Sequence, residues 1–322
     1  MSEIIPHHYR HSPVWETTRP TAEPHPTVCA IDLGSKNFKM VTGSKVDGAV
    51  VTELIMKKPL ALGKALLENA NVIGAEKRLE VEQALLEFKR YCDNRAIHPL
   101  LAIATNAIRD ANNRDEIAAL ARAIGIDLEI ADGRREAEVG YLAATGGQPG
   151  KLVVEMGSRS LQVAWETAGR IETRLIDRGY EHAFQAFFRG APHFSQALMS
   201  YRGFLGERLG DLPRGSDQLF ALAANTLAGF VAGKAKEEIT DRSLSKTALE
   251  EKIRALEQAT ADGFASLVEG NPKAGKILPG LVLLELILEK SGHDAVFIAN
   301  AELPVGLIIE YFTEFYSRRR TR

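Results

Sequence analysis

The sequence is poor in cysteine and lacks both a long apolar run and an excess of charge. Its 322 residues include two cysteines, Cys29 and Cys92, and both lie in apolar surroundings. We therefore expect buried thiols in a reducing, cytoplasmic compartment rather than a disulfide. The longest apolar candidate, 277–288, is interrupted by proline, glycine and glutamate, so it predicts no membrane span. A net charge of -2 supplies no positive field for binding DNA.

Several catalytic motifs are also missing from the sequence. No group of cysteines and histidines has the spacing of a zinc site, no G-x-G-x-x-G follows a strand, and no G-x-S-x-G nucleophile elbow occurs. The segment 270–276 has the glycine and lysine spacing of a P-loop, but Ile277 stands where serine or threonine should bind magnesium. These absences argue against a zinc enzyme, a dinucleotide-binding enzyme, a serine hydrolase of the elbow type and a P-loop ATPase.

The first 26 residues differ in composition from the rest of the chain. They are polar and contain four of the eight histidines, namely His7, His8, His11 and His25. A metal-binding tail would need a cysteine or carboxylate cluster as well, and this segment has none. We therefore expect 1–26 to be a disordered arm. The remaining length suits two domains.

The rest of the chain shows the same order of elements twice. Apolar runs over 27–58 predict a three-strand meander, which alternating helices and strands follow. A second meander begins after the glycine-rich linker at 146–150. We expect an α/β fold of two lobes, with lobe I at 27–146 and a helix-rich lobe II at 147–304. A final helix at 305–317 could pack back on lobe I.

Each lobe starts with a strand that ends in a carboxylate, an apolar residue, glycine and serine. The two segments are Asp32-Leu33-Gly34-Ser35-Lys36-Asn37 and Glu155-Met156-Gly157-Ser158-Arg159-Ser160. A carboxylate at a strand end can hold a metal ion, and a Gly-Ser turn can direct backbone N–H groups at a phosphate. Because there are two such segments, the sequence suggests phosphate between two facing lobes. We name 34–37 the first turn and 157–160 the second turn.

Four segments, in order, resemble motifs of the exopolyphosphatase/pppGpp phosphatase (Ppx/GppA) family. They are the strand and turn at 32–41, the A-T-x-A-x-R-x-A-x-N pattern at 104–113, a segment similar to I-x-x-G-x-E-E-A at 130–137, and the carboxylate and turn at 155–160. The resemblance covers about residues 27–310. It implies the two-lobed, actin-like or sugar-kinase-like ATPase fold, which is built from duplicated ribonuclease H-like domains.

The resemblance also implies an Mg²⁺-dependent phosphohydrolase that releases terminal phosphate from polyphosphate or pppGpp in the cleft between the lobes. Arg109 would clamp phosphate oxygens, and Glu136 would orient or deprotonate the attacking water. Asp32 and Glu155 would hold Mg²⁺. Phosphate would be bound by Gly34, Ser35, Lys36, Asn37, Gly157, Ser158, Arg159 and Ser160. A homodimer is common in this fold family, which is an analogy.

The departures from the family motifs fall on the predicted chemistry. Ser158 and Arg159 stand where the family has glycines, which allow close approach of the backbone to phosphate. Gln162 replaces an acidic residue and can neither act as a base nor carry charge for a metal. Arg135 replaces the first of two paired glutamates, and Pro304 stands where a late motif has arginine.

Two hypotheses account for these departures. In the first, the enzyme is retuned, and Lys36, Arg134, Arg135 and Arg159 add positive charge to the cleft for a highly anionic substrate. In the second, the chain is a catalytically impaired member that binds polyphosphate, a guanosine nucleotide or a protein partner as a regulator. A sugar or acetate kinase on the same fold is a weaker alternative, because 219–230 lacks a glycine-rich adenosine motif.

Overall fold

The computed structural model describes residues 8–9, 26–234, 242–259, 261–271 and 273–320. By its internal contacts the chain divides into a first unit, 1–147 with 302–322, and a second unit, 148–301. Most of the arm that the sequence predicts as disordered lies outside the described residues, but His8–Tyr9 form a short strand that pairs antiparallel with residues 52–53, so the prediction is wrong for these two residues. None of the helices in the described ranges is long and apolar enough to cross a membrane.

The first unit is built on a six-stranded sheet. Its described strands are β1 (His8–Tyr9), β2 (Thr27–Leu33), β3 (Asn37–Val46), β4 (Ala49–Pro59), β5 (Leu100–Ala104) and β6 (Leu128–Ile130). Its described helices are α1 (Leu62–Glu68), α2 (Ala75–Asp93), α3 (Asn106–Arg109), α4 (Arg114–Ala123), α5 (Gly133–Thr145) and α12 (Leu303–Arg320). The strand order is β1-β4-β3-β2-β5-β6, in which β2, β5 and β6 are parallel and the meander is antiparallel.

The two faces of this sheet are covered by different helices. Along β2 the odd-numbered residues from Cys29 to Leu33 pack with residues of α1 to α4. The even-numbered Val28 and Ala30 pack with residues of α5 and α12 on the opposite face. Asp32 continues the even-numbered series, so the strand directs its side chain to the face that α5 and α12 cover.

The structure corrects the prediction of two free thiols. Cys29 on β2 and Cys92 on α2 form a disulfide, with their Cα atoms 6.6 Å apart. Both residues are fully buried in the same core cluster, which brings together positions 63 residues apart in sequence. The sequence could not show this pairing, because two apolar segments that pack together need not be near in the chain. The cysteines therefore no longer argue for a reducing compartment.

The second unit repeats the sheet of the first. Its described strands are β7 (Lys151–Met156), β8 (Leu161–Thr167), β9 (Arg170–Ile176), β10 (Gln218–Leu222), β11 (Ser243–Ser245) and β12 (Ala295–Ile298), in the order β11-β12-β10-β7-β8-β9. The run β9-β8-β7-β10-β12 corresponds to β4-β3-β2-β5-β6, with the same antiparallel meander and the same parallel pairs. The duplicated α/β architecture predicted from the sequence is confirmed.

Helices form most of the remaining second unit. Those described are α6 (Tyr180–Ala183), a π-helix (Phe184–Phe188), α7 (Phe194–Leu209), α8 (Asn225–Ala232), α9 (Lys246–Glu257), α10 (Ala261–Gly270) and α11 (Ala274–Ser291). Helix α11 is apolar on nearly every side and is buried along most of its length, as expected of a central core helix. The P-loop-like segment 270–276 follows a helix rather than a strand, which confirms that it is not a P-loop.

Candidate active site

Asp32 is a buried carboxylate near the end of β2 in the first unit. Its side chain lies beside that of Lys39, because the two residues are direct partners across the antiparallel β2–β3 pair. Oδ1 of Asp32 is buried and has no hydrogen-bond partner within the described parts of the chain. Burial raises the pKa of Asp32 to about 7, Lys39 opposes the rise, and Glu302 and Glu136 add to it. Such an oxygen is a suitable metal ligand.

Arg109 and Glu136 form the second part of this site. Arg109 is the last residue of α3, and Glu136 lies in the first turn of α5. Nη1 of Arg109 donates to Glu136 Oε2 at 2.8 Å and to the carbonyl of Ala131 at 3.0 Å. Burial raises the pKa of Glu136, and the hydrogen bond from Arg109 opposes that rise. The structure thus brings together two residues that the sequence predicted to be catalytic and that lie 27 positions apart.

Glu302 is a member of the site that sequence reasoning missed. It precedes α12, and its carboxylate accepts a hydrogen bond from Nζ of Lys39 across 263 residues of sequence. Nothing in the sequence distinguished this glutamate, because its neighbours depart from the family motif and its partner is remote. Among the described residues, no set of three or more His, Cys, Asp or Glu side chains is arranged to hold a metal ion. The carboxylates of Asp32, Glu136 and Glu302 therefore do not form a complete set of metal ligands by themselves.

The first turn is held from one side by the start of α1. The carbonyl of Ser35 accepts from the N–H of Gly63 at 2.9 Å, and the carbonyl of Lys36 accepts from Leu60 and Ala61 at 3.2 and 3.0 Å. In a trans peptide the N–H points opposite to the carbonyl of the preceding residue. The N–H groups that follow these carbonyls, on Lys36 and Asn37, therefore point away from α1.

The second turn is held in the same way by the start of α6, through three carbonyls instead of two. The carbonyls of residues 157, 158 and 159 accept from Tyr180, Glu181 and Gly179 at 3.0, 3.1 and 2.7 Å. By the same geometry, the N–H groups of residues 158–160 all point away from the start of α6. Three consecutive N–H groups on one side form the kind of concave site that binds anions.

Gly179 makes this arrangement possible, and sequence reasoning missed it too. A Cβ atom at this position would lie 2.4–2.5 Å from backbone atoms of the second turn. Its φ is -71°, an ordinary value, so glycine is needed here for close approach and not for an unusual conformation. The sequence offered one weak signal, a glycine between a strand and a short helix.

A model of the Ppx/GppA phosphatase family matches residues 44–314, which is most of the sequence. The chain belongs to the Ppx/GppA phosphatase family. The matched range contains Arg109, Glu136, Glu302 and the second turn. The first turn precedes it, so its assignment depends on the resemblance of its sequence and on the duplicated strand geometry.

Solved structures of Ppx/GppA proteins have the same fold. An Aquifex aeolicus Ppx/GppA enzyme is 20% identical with a TM-score of 0.76, over 89% of this chain and 100% of that one. An exopolyphosphatase from Cytophaga hutchinsonii is 20% identical with a TM-score of 0.63, over 88% and 96% of the two chains. A nucleoside triphosphate hydrolase from Neospora caninum is 10% identical with a TM-score of 0.50, over 85% and 88%. The predicted fold class is confirmed.

The Ppx/GppA duplication aligns Glu155 with Asp32 and Gln162 with Lys39. Glu155 lies on β7, and Gln162 is its direct partner on β8, as Lys39 is the partner of Asp32. Gln162 is buried, and its Nε2 donates to Ser160 Oγ at 2.9 Å. The residue at the family's acidic position therefore supports the second turn with an amide and brings no charge to it.

Two arginines of this Ppx/GppA protein that were expected to add positive charge for an anionic substrate are ion-paired within the first unit. Nε of Arg134 donates to Glu138 at 2.9 Å, one turn along α5. Arg135 is paired with Glu129 and Glu310. Neighbouring carboxylates offset the charge of both arginines, which argues against their part in the charge-enrichment hypothesis.

Proposed function

We propose that the chain is an Mg²⁺-dependent phosphohydrolase that releases terminal phosphate from polyphosphate or pppGpp. Membership of a phosphatase family supports hydrolysis of a phosphate ester or anhydride. The observation that carries the proposal is the part-buried contact between Arg109 and Glu136. It pairs a guanidinium, which suits phosphate oxygens, with a carboxylate of raised pKa, which suits proton transfer from water.

Each member of this pair has a distinct role in the proposed reaction. Glu136 takes a proton from water while the water oxygen bonds to the terminal phosphorus. The bond from phosphorus to the bridging oxygen then breaks, and the electron pair leaves with that oxygen. Arg109 uses Nη1 to hold Glu136, and the remaining donors of its guanidinium can bind a phosphoryl oxygen.

The proposal assigns magnesium to the buried carboxylate of β2. Magnesium is commonly held by one or two carboxylates together with substrate phosphates, so a three-carboxylate cage is not required. The unpartnered Oδ1 of Asp32 fits this donor set, and Glu155 is the equivalent carboxylate of the second unit. When bound, the ion would neutralise negative charge on the phosphate chain.

Backbone N–H groups supply the proposed phosphate contacts. The second turn directs three of them to one side even though Ser158 and Arg159 replace the family's glycines. This arrangement favours a retained phosphate site over its loss. The first turn contributes the N–H groups of Lys36 and Asn37 in the same manner.

A non-catalytic member that binds the same anions is the second candidate. Gln162 favours it, because a neutral amide stands where the family has an acidic residue. Such a protein would keep the N–H groups of the second turn and bind polyphosphate or pppGpp without turnover. The same measurements separate the two candidates.

The deciding experiment measures phosphate release from long-chain polyphosphate and from pppGpp with Mg²⁺. Glu136→Ala should lower kcat by about 10²- to 10⁴-fold, the usual contribution of a general base. The matched control is Glu138→Ala, which lies on the same helix and pairs only with Arg134 in the described structure. Unchanged activity in Glu136→Ala would remove the assigned role. Binding of either anion by the wild type without release would favour the non-catalytic candidate.

A further inference from the structure

Arg135 connects three elements of the first unit through one side chain. Its Nη1 and Nη2 donate to the two carboxylate oxygens of Glu310 on α12, each at 2.6 Å. Its Nε and Nη2 donate to Glu129 on β6 at 2.7 and 3.3 Å. All five N–H directions of a guanidinium lie in one plane, so two bidentate contacts fix the orientation of the side chain as well as its position.

The backbone of Arg135 is fixed at the same point. Asp132 caps α5, and its carboxylate accepts the N–H of Arg135 at 2.7 Å. Successive residues of a helix project about 100° apart around its axis. Holding both the backbone and the side chain of Arg135 therefore sets the direction in which the next residue, Glu136, projects toward Arg109.

The contact with Glu310 is not needed to attach α12 to the unit. Gly306 approaches α5 so closely that a Cβ atom there would lie 2.0 Å from the carbonyl of Val139. Ile308 is fully buried against Gly43 of β3. Half-exposed ion pairs add little to stability in comparison with such packing. The geometry of the guanidinium contacts has a more specific consequence, which is the alignment of the first turn of α5.

We infer that Arg135, held by Glu129 and Glu310, is a positioning residue that aligns Glu136 with Arg109. The inference rests on the proposed function, in which Glu136 receives the proton from water. It also gives a reason for arginine where the family motif has glutamate, because a glutamate at 135 would face the carboxylates of Glu129 and Glu310. Arg135 and its two acidic partners, Glu129 and Glu310, therefore form one interacting group.

The test compares Arg135→Gln with Arg134→Gln, which removes the neighbouring arginine and its pair within the same helix. Arg135→Gln should lower kcat about 10- to 100-fold with KM changed less than about twofold, because misplacement of a reacting group by about 1 Å has this effect. Arg134→Gln should leave both constants unchanged. Glu310→Gln keeps the contact of Arg135 with Glu129, so it should give an intermediate loss of kcat. This variant replaces Arg135→Gln in the test if Arg135→Gln does not fold. Arg135→Lys should recover only part of the activity.

A second readout does not depend on turnover. The side-chain carboxyl of Glu136 can be titrated by NMR with ¹³C-labelled glutamate and assigned with Glu136→Gln. The hydrogen bond from Arg109 holds down the pKa of Glu136 against the effect of burial, so loss of that alignment in Arg135→Gln should raise the pKa of this carboxyl above its wild-type value. A higher Glu136 pKa in Arg135→Gln than in the wild type, together with a wild type that releases no phosphate, would keep the inference and reject the enzyme. Wild-type kcat and an unchanged Glu136 titration in both Arg135→Gln and Glu310→Gln would overturn the inference.

Discussion

Replacing Gly179 with alanine tests whether the second turn is an anion site. The added Cβ would lie 2.4 Å from the carbonyl oxygen of Gly157 and 2.5 Å from backbone atoms of Ser158 and Arg159. Ordinary contacts of carbon are about 3.5 Å, so the two segments must separate by about 1 Å. That movement lengthens three hydrogen bonds that now measure 2.7, 3.0 and 3.1 Å.

Both stability and activity should respond to the Gly179→Ala substitution. Forcing an extra carbon into a packed site costs about 1–3 kcal/mol of unfolding free energy. Displacement by about 1 Å of the N–H groups proposed to bind phosphate should weaken turnover by about 10²-fold. Urea unfolding measures the first effect, and phosphate release together with calorimetric binding of tripolyphosphate measures the second.

Gly203 provides a matched control for Gly179. It lies in α7, and a Cβ added there would meet no atom within 4 Å. Gly203→Ala should therefore stabilise the helix by about 0.5–1 kcal/mol and leave binding unchanged. Equal tripolyphosphate binding and equal turnover in Gly179→Ala and Gly203→Ala would refute the assignment of the second turn to phosphate.

Two further predictions concern the first unit. Because burial raises the pKa of Asp32 to about 7, the folded state holds its proton more tightly than the unfolded chain, and stability should fall as pH rises from about 4 to 7. In metal-free buffer, Asp32→Asn should remove up to about 4 kcal/mol of this pH-dependent loss of unfolding free energy. Equal urea midpoints for the wild type and Asp32→Asn at pH 8 would contradict the burial argument. Because Cys29 and Cys92 form a disulfide, reduction should increase the mass of the protein by two hydrogens. Opening the 63-residue loop that the disulfide closes should lower the free energy of unfolding by about 4 kcal/mol. Two thiols that alkylate without reductant in denatured protein would show that the pair is not bonded.

The sequence predicted those features that depend on local pattern. Alternating apolar runs located the meanders, and the glycine-rich linker located the restart of the fold near residue 150, because strand faces and turns have local composition. The pairing of Arg109 with Glu136 was reachable because each lies in a recognisable motif. The final helix was predicted at 305–317 and spans Leu303–Arg320 in the structure.

The features that the sequence did not reveal depend on contacts between remote segments. Glu302 meets Lys39 only because α12 returns to the first unit, and no periodicity records that return. Gly179 differs from other glycines only by how closely the second turn approaches it. Arg135 resembles a surface charge in sequence, since its partners Glu129 and Glu310 lie on other elements.

The duplicated sheets also show why the first turn and the second turn should differ in function. In the first unit the partner of the strand carboxylate is Lys39, and the charges of Arg109, Glu136 and Glu302 lie close enough to influence one another. At the equivalent position of the second unit the partner is Gln162, whose amide bonds to a serine of the turn. Proton transfer needs titratable groups with perturbed pKa values, and the first unit has them. Holding a phosphate needs donors fixed in direction, and the backbone of the second turn can supply those without glycine at its centre. On this reasoning, loss of the family's glycines at the second turn is compatible with catalysis as long as Glu136 stays aligned.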